Sequence, residues 1–515
     1  MAKSDFWRLI GVGCLLLLAL PGQVQAESWI KAQSAHFEVY SSAPEPETRD
    51  YVRKLEKFRN LTNLLLGSAG NGPQVRFTIY LLNNPDKMMD VRPYFAPQVA
   101  GAYFPCNEGL SAYATVHKNG DIWNDEDVSL VILYHEYSHY VMSQSAKSYY
   151  PAWYVEGFAE YLSTAYPDKG KISIGEPSRM RLSTLAADRW IDFEKVLQPE
   201  FTLSGDKANN AWEVENFYAQ SWLLTHYMLN DPERAKALNR YFALLGNGAD
   251  PIRSWEETTG IPVDSLYRVL RAYFNKIYII QVPVADYSDS DVTVEKLGSE
   301  TSTFLFDRSL LTTCMDTPQG NEVLGRLTAL KPKLGGQLDF DLTLGRAQLL
   351  FGSPDDAETT LKTLVRANPD NFEANYLMGR IYFKEGSATS GQDQTDYFDA
   401  ANGFFAAAYA SNRLDAPNLY YLAKSMSNQP GFPDANAVNA ANAAHILAPN
   451  VGEFAVFAAY LDLATDKRSE AIALLTPFVS DPHNHGQAER YRAAIDAIKA
   501  GEPAQKVMSI LNDPG

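Results

Sequence analysis

The feature that most limits how this chain can fold lies in residues 131–161, where two apolar segments flank a short polar turn. The first reads Val131-Ile-Leu-Tyr-His135-Glu136-Tyr137-Ser138-His139-Tyr140-Val141-Met142. Residues four apart share a helix face, so His135 and His139 can address one metal ion. Glu136, beside the first of them, can reach a water at that ion without binding the ion itself, which is the physical content of the H-E-x-x-H pattern. Val131, Ile132, Leu133 and Val141 root the helix in a core and make it a rigid support. The second segment, Pro151 to Tyr161, carries Glu156 and Glu160 one turn apart. An antiparallel helix pair brings Glu156 to the histidines as a third ligand. Glu160 then has two readings. It accepts the free N–H of a ligating histidine, His135 first, or it is a solvated helix charge.

Around this stretch the chain reads as export-directed and multi-domain. Its 515 residues carry 45 basic and 62 acidic side chains, a net charge of −17. Phosphate binding needs clustered Lys and Arg, so nucleic acid is excluded as the main partner. Residues 1–26 have the form of a signal peptide: Lys3 and Arg8, then apolar Leu9–Leu20, then Val24-Gln25-Ala26 as a cleavage site. The apolar run is short for a span of about 20 residues, so release into the periplasm or secretion is expected, with no integral membrane segment left after cleavage. Cys14 leaves with the signal. Cys106 and Cys314 remain, either as one disulfide or as two unrelated buried thiols.

Periodicity organises the rest. Ser28–Tyr40 reads as two short strands, Glu45–Leu66 as a helix, and Val75–Leu82, Val99–Phe104 and Leu110–Val116 as further strands. Helices are expected over Val128–Ser143, Pro151–Thr164, Glu215–Leu229, Asp231–Leu245 and Val263–Phe274. Residues 286–303, rich in Ser, Asp and Thr, read as a linker. Beyond them Leu344-Gly345 and Met378-Gly379 repeat at a 34-residue step, with Ser387–Asp396 as a polar ten-residue insertion in the second unit. This resembles the tetratricopeptide repeat, in which small residues let paired helices pack closely and neighbours stack into a solenoid.

The metal-binding stretch resembles the gluzincin metallopeptidases, the group that includes thermolysin and aminopeptidase N. His135, Glu136, His139 and Glu156 match that family's motif residue by residue, and Val155-Glu156-Gly157-Phe158-Ala159 is close to the aminopeptidase form. The resemblance implies Zn²⁺ held by His135, His139 and Glu156, with Glu136 as general base. It also places a tyrosine near Tyr218 whose hydroxyl stabilises the oxyanion, against the plain reading of a core or surface tyrosine. Where aminopeptidases carry a glutamate for the substrate's free amine, this chain has Phe104, in Gly101-Ala102-Tyr103-Phe104-Pro105. Exopeptidase action at a free N-terminus is therefore not expected. Glu108 has no spacing that recommends it as a substitute, His226 reads as structural, and His483-Asn484-His485 as a solvated loop. The fold expected is an α+β zincin-like catalytic domain over residues 27–285, a linker over 286–303, and an all-α tetratricopeptide-like solenoid over 304–515. The function expected is an exported zinc metallopeptidase acting on peptides or proteins, with the repeats docking substrate or a protein partner. The alternative is an exported scaffold whose zinc site is structural or inactive.

Overall fold

The computed structural model describes residues 27–67, 75–95, 99–116, 128–144, 149–187, 189–199, 201, 207–286, 291–479 and 488–512. The expected export segment and the His483/His485 pair lie outside the described residues.

Alternating buried residues form β1 (Ile30–Gln33) and β2 (Phe37–Ser41), which pair antiparallel. Helix α1 (Glu45–Leu66) then leads into β3 (Phe77–Leu82), parallel to β2 with Val39 opposite Ile79. After α2 (Lys87–Val91), β4 (Gly101–Cys106) and β5 (Gly109–Thr115) make a hairpin whose second strand runs parallel to β3. Next come α3 (Val128–Gln144) and α4 (Ala152–Ser163). Pro151 is extended at φ −71° and ψ 156°, so it precedes the first turn of α4 rather than occupying it. A small sheet of β6 (Tyr166–Asp168), β7 (Lys171–Ile174) and β8 (Ile280–Pro283) brackets α5 (Arg179–Ala186), α6 (Phe193–Val196), α7 (Lys207–Leu229), α8 (Pro232–Gly246), α9 (Pro251–Thr259) and α10 (Leu266–Phe274).

The segment 286–303 does not behave as a linker. Thr293-Val294-Glu295-Lys296 forms β9, which pairs antiparallel with β1, Ala32 opposite Val294, and α11 (Ser299–Leu310) begins within the same stretch. The main sheet therefore runs β4-β5-β3-β2-β1-β9. Polar composition hid this strand, because a four-residue edge strand needs only backbone pairing on one side.

All that follows is helical: α12 (Thr317–Leu334), α13 (Leu338–Phe351), α14 (Pro354–Ala367), α15 (Phe372–Ala388), α16 (Gly391–Ser411), α17 (Ala416–Ser425), α18 (Ala435–Leu447), α19 (Gly452–Ala464), α20 (Arg468–Val479), α21 (Ala488–Lys499) and α22 (Ala504–Leu511). Successive helices pack in a repeat-like array. The 34-residue step has a steric cause. A Cβ on Gly345 would lie 2.8 Å from Leu361 of α14, and one on Gly379 would lie 2.6 Å from Phe405 of α16. The insertion Ser387–Asp396 is no long loop, since most of it extends α15 and α16.

Strand alternation gives the main sheet two buried faces. Phe37, Val39, Ile79 and Leu81 pack against Leu55 and Phe58 of α1 and Tyr134 and Tyr137 of α3. Tyr80, Leu82 and Tyr113 face the other way, into a cluster with Phe304, Leu310, Leu327 and Phe340. The first helices of the array are thus the second cover of the sheet. Polar ties reinforce it: the Tyr113 hydroxyl donates to Ser309 at 2.9 Å, and Cys106 at the end of β4 is disulfide-bonded to Cys314. Of the two readings of that cysteine pair, the structure adopts the bonded one.

Candidate metal centre

Helix α3 buries side chains on nearly all sides, from Ser129 to Met142, which sets it deep between the sheet and α4, with His135 and His139 both buried. Their Nε2 atoms face each other at 3.0 Å. Glu156, fully buried on α4, brings its carboxylate to 3.3 Å from His135 Nε2 and 3.7 Å from His139 Nε2. One donor atom from each of the three residues lies within 4.8 Å of the others, and this is the group of that kind found among the described residues. Donors held about 2.1 Å from one tetrahedral ion lie roughly 3.4 Å apart, so the three separations suit a single Zn²⁺ without rearrangement.

A glycine decides how close the next layer comes. Gly157, adjacent to Glu156, faces α7, and a Cβ there would overlap Thr225 Oγ1 and the Ser221 carbonyl oxygen. Only glycine lets α7 press against α4 at this level. Tyr218, Ser221 and Thr225 fall on one face of α7. That contact accordingly brings the Tyr218 ring to 6.2 Å from the His135 ring, at an interplanar angle of 29°.

Behind the ligands stands a charged layer. His135 Nδ1 lies 3.4 Å from Glu160 Oε1, the separation expected of a carboxylate that orients a ligating imidazole. Arg181, in the first turn of α5, holds Glu160 by two nitrogens at 2.9 and 3.0 Å and Glu215 of α7 by a third at 2.6 Å. Its guanidinium also lies 5.1 Å from the centre of the Tyr218 ring. Burial raises the Glu160 pKa, but Arg181 and His135 overcome it and bring it down to about 2. Burial likewise disfavours charge on His135, yet Glu156 and Glu160 hold its pKa up at about 10. The pocket between these side chains is one where positive charge is favoured. Burial first, and then the carboxylates of Glu156, Glu160 and Glu136, push the Tyr218 hydroxyl upward, so it stays a protonated donor.

Glu136 and His139 open into a cleft of about 700 Å³. One wall is the edge strand β4, with Tyr103 and Phe104. Phe104 lies under the Arg92 guanidinium, 4.4 Å from its ring centre, so no carboxylate occupies that place. Glu108 points elsewhere, clasped by Arg380 at 2.7 and 2.9 Å in a buried junction between the β4–β5 hairpin and α15. His226 sits in an aromatic cluster of its own. It is fully buried against Tyr161, Trp222 and Tyr273, and the Tyr273 hydroxyl lies 2.8 Å from its Nδ1.

Arg181 was not legible in the sequence. The one trace it leaves is the three-residue spacing of its partners Glu215 and Tyr218 on α7.

No protein-family model matches the chain, and no curated protein does. Among solved structures, a thermophilic tetratricopeptide-repeat protein of Thermus thermophilus aligns with 38% of this chain and 99% of its own, at 16% identity and a TM-score of 0.32. A superposition that loose adds nothing to the helix pairing described above. Among the described residues, no helix is long and apolar enough to cross a membrane.

Proposed function

We propose that the protein is an exported zinc-dependent peptidase of the gluzincin type, with His135, His139 and Glu156 holding Zn²⁺. The observation that carries this reading is the convergence of the two Nε2 atoms and the Glu156 carboxylate at the mouth of a cleft into which Glu136 also opens. A structural zinc site is closed by four protein ligands, whereas three ligands beside a cleft leave a position for chemistry. When bound, Zn²⁺ polarises water and a substrate carbonyl, lowering the water pKa towards ~7.

The protein's own groups do the rest. Among the described strands none pairs with the outer edge of β4, which offers its backbone to an extended peptide and sets the scissile carbonyl against the centre. Glu136 takes the proton of the attacking water and passes it to the departing amine. The protonated Tyr218 hydroxyl donates to the oxygen that becomes negative as the carbonyl is attacked. Glu160 and Arg181 keep the His135 ring in one orientation. Phe104, in place of a carboxylate, favours cleavage within chains over removal of N-terminal residues.

The test is Glu136→Gln. Metal analysis is expected to find stoichiometric zinc in both proteins, with hydrolysis of a peptide library lost only in the variant. A variant that cleaved as well as the unmodified protein would remove Glu136 from the mechanism.

One observation favours a second reading, an exported scaffold with a structural zinc site. The helical array has a hollow of its own, about 320 Å³, bordered by Arg380, Lys384 and Lys424 with Phe383 and Tyr421. A zinc-loaded protein that cut no peptide yet retained a partner through that hollow would favour it.

A further inference from the structure

The cleft at the metal centre has a second wall that comes from the far end of the chain. Ser469, Ile472, Ala473 and Thr476, all on α20, border it opposite β4, and Asn450 stands beside them. Steps of three and four residues place Ser469, Ile472, Ala473 and Thr476 on a single stripe of that helix. The remaining face, Ala471, Leu475 and Val479, is buried in the last core of the array. Helix α20 thus serves both: Ile472, half-buried, packs on that core and also borders the cleft, flanked there by the small polar Ser469 and Thr476. Asn450, in the turn between α18 and α19, is tied to the candidate metal helix by the Ser143 hydroxyl near the end of α3, which donates to its Oδ1.

Among the described residues the cleft lining carries a single acidic or basic side chain, Glu136, beside the candidate ligand His139, and the proposed chemistry already uses both. The other described residues along it are apolar, aromatic or uncharged, including Tyr103, Phe104, Met142, Tyr150 and Val155. Away from Glu136 and the metal centre, a substrate charge entering here would lose water and meet no counter-charge on the described walls. The walls stand close enough to enclose only about 700 Å³, far less than a folded domain.

We infer that the C-terminal repeats are part of the substrate site. The α20 stripe centred on Ile472 contacts an uncharged, apolar stretch of extended polypeptide held against β4, and selects for it. This deepens the peptidase reading by naming its substrate class and rests on that reading for the bond that is cut, but binding can be measured apart from cleavage.

The experiment uses the full-length, zinc-loaded Glu136→Gln protein and fluorescent decapeptides blocked at both ends. One is rich in Leu and Phe, and the other has Lys and Glu at the same positions. The apolar peptide is expected to bind at least about tenfold more tightly, and Ile472→Asp is expected to weaken it by about tenfold, the worth of one well-buried aliphatic contact. Ile472→Ala guards against misfolding and is expected to give a smaller loss in the same direction, with a folded protein whose melting temperature falls only modestly, since Ile472 also packs on the last core of the array. Equal binding of the two peptides, or apolar binding indifferent to both substitutions, would overturn the inference. Failure of the unmodified protein to hydrolyse any peptide, with this binding pattern intact, would instead overturn the peptidase reading alone.

Discussion

Arg181 grips Glu160 by two nitrogens, Nε to Oε2 at 2.9 Å and Nη2 to Oε1 at 3.0 Å, while the same carboxylate meets His135 Nδ1 at 3.4 Å. A residue that touches none of the candidate ligands thereby determines where one of them points. Arg181→Gln is expected to loosen zinc by about 10- to 100-fold, the usual effect of removing such a support. Chelator-competition titration would measure it. An unchanged zinc affinity would mean that Glu160 is held by its surroundings alone.

Gly157 supports a stability prediction. Gly157→Ala forces a methyl group into Thr225 Oγ1 and the Ser221 carbonyl oxygen, so α7 must retreat from α4. Overpacking of this kind costs roughly 1–3 kcal/mol, and retreat of α7 also withdraws Tyr218. Thermal unfolding should show a lowered midpoint, and the zinc-loaded variant should lose turnover more than zinc. Thr225→Ala in the same protein relieves only part of the loss, since the backbone oxygen remains.

His226 makes stability depend on pH. Burial holds its folded pKa down at about 4 against an ordinary 6.5. Between those values the unfolded chain takes up a proton that the folded chain refuses, so the contribution is complete above pH 6.5 and is lost as the pH falls towards 4. The loss is on the order of 3 kcal/mol, at about 1.4 kcal/mol per unit. Urea unfolding at pH 7, 5.5 and 4.5, with chelator present to silence the metal centre, should decline less steeply in His226→Gln. Parallel curves for the two proteins would contradict the assignment.

Glu108 joins the two halves of the molecule. Glu108→Ala leaves Arg380 buried without its carboxylate partner, a change that typically costs about 3–5 kcal/mol. Replacing Glu108 and Arg380 together by Met is expected to recover most of it. Denaturation followed by tryptophan fluorescence would separate the three proteins. Deleting residues 304–515 should do worse still, since Tyr80, Leu82 and Tyr113 would lose their covering helices.

What the sequence revealed and what it concealed divide along physical lines. His135, His139 and Glu156 were legible because helical spacing is local and a short turn forces neighbouring helices together. The 34-residue step was legible because close helix contact demands a small residue at Gly345 and again at Gly379. Strand β9 was not, for its pairing with β1 depends on backbone groups that every residue carries. Arg181 and the Glu108–Arg380 pair were hidden for the same reason, each joining segments whose meeting depends on the whole fold. The Ile472 stripe was concealed most deeply, since nothing in α20 itself tells that Ser469, Ile472 and Thr476 meet a cleft formed by a distant part of the chain.

The pairing of β9 with β1, and of Asn450 with Ser143, has a consequence for the timing of biogenesis. A ribosome finishes the histidine-bearing helix long before it reaches β9 or α20. Until then the first strand has an open flank and the cleft has one wall. Both are closed only by segments far later in the chain, Thr293–Lys296 for the flank and Arg468–Val479 for the wall.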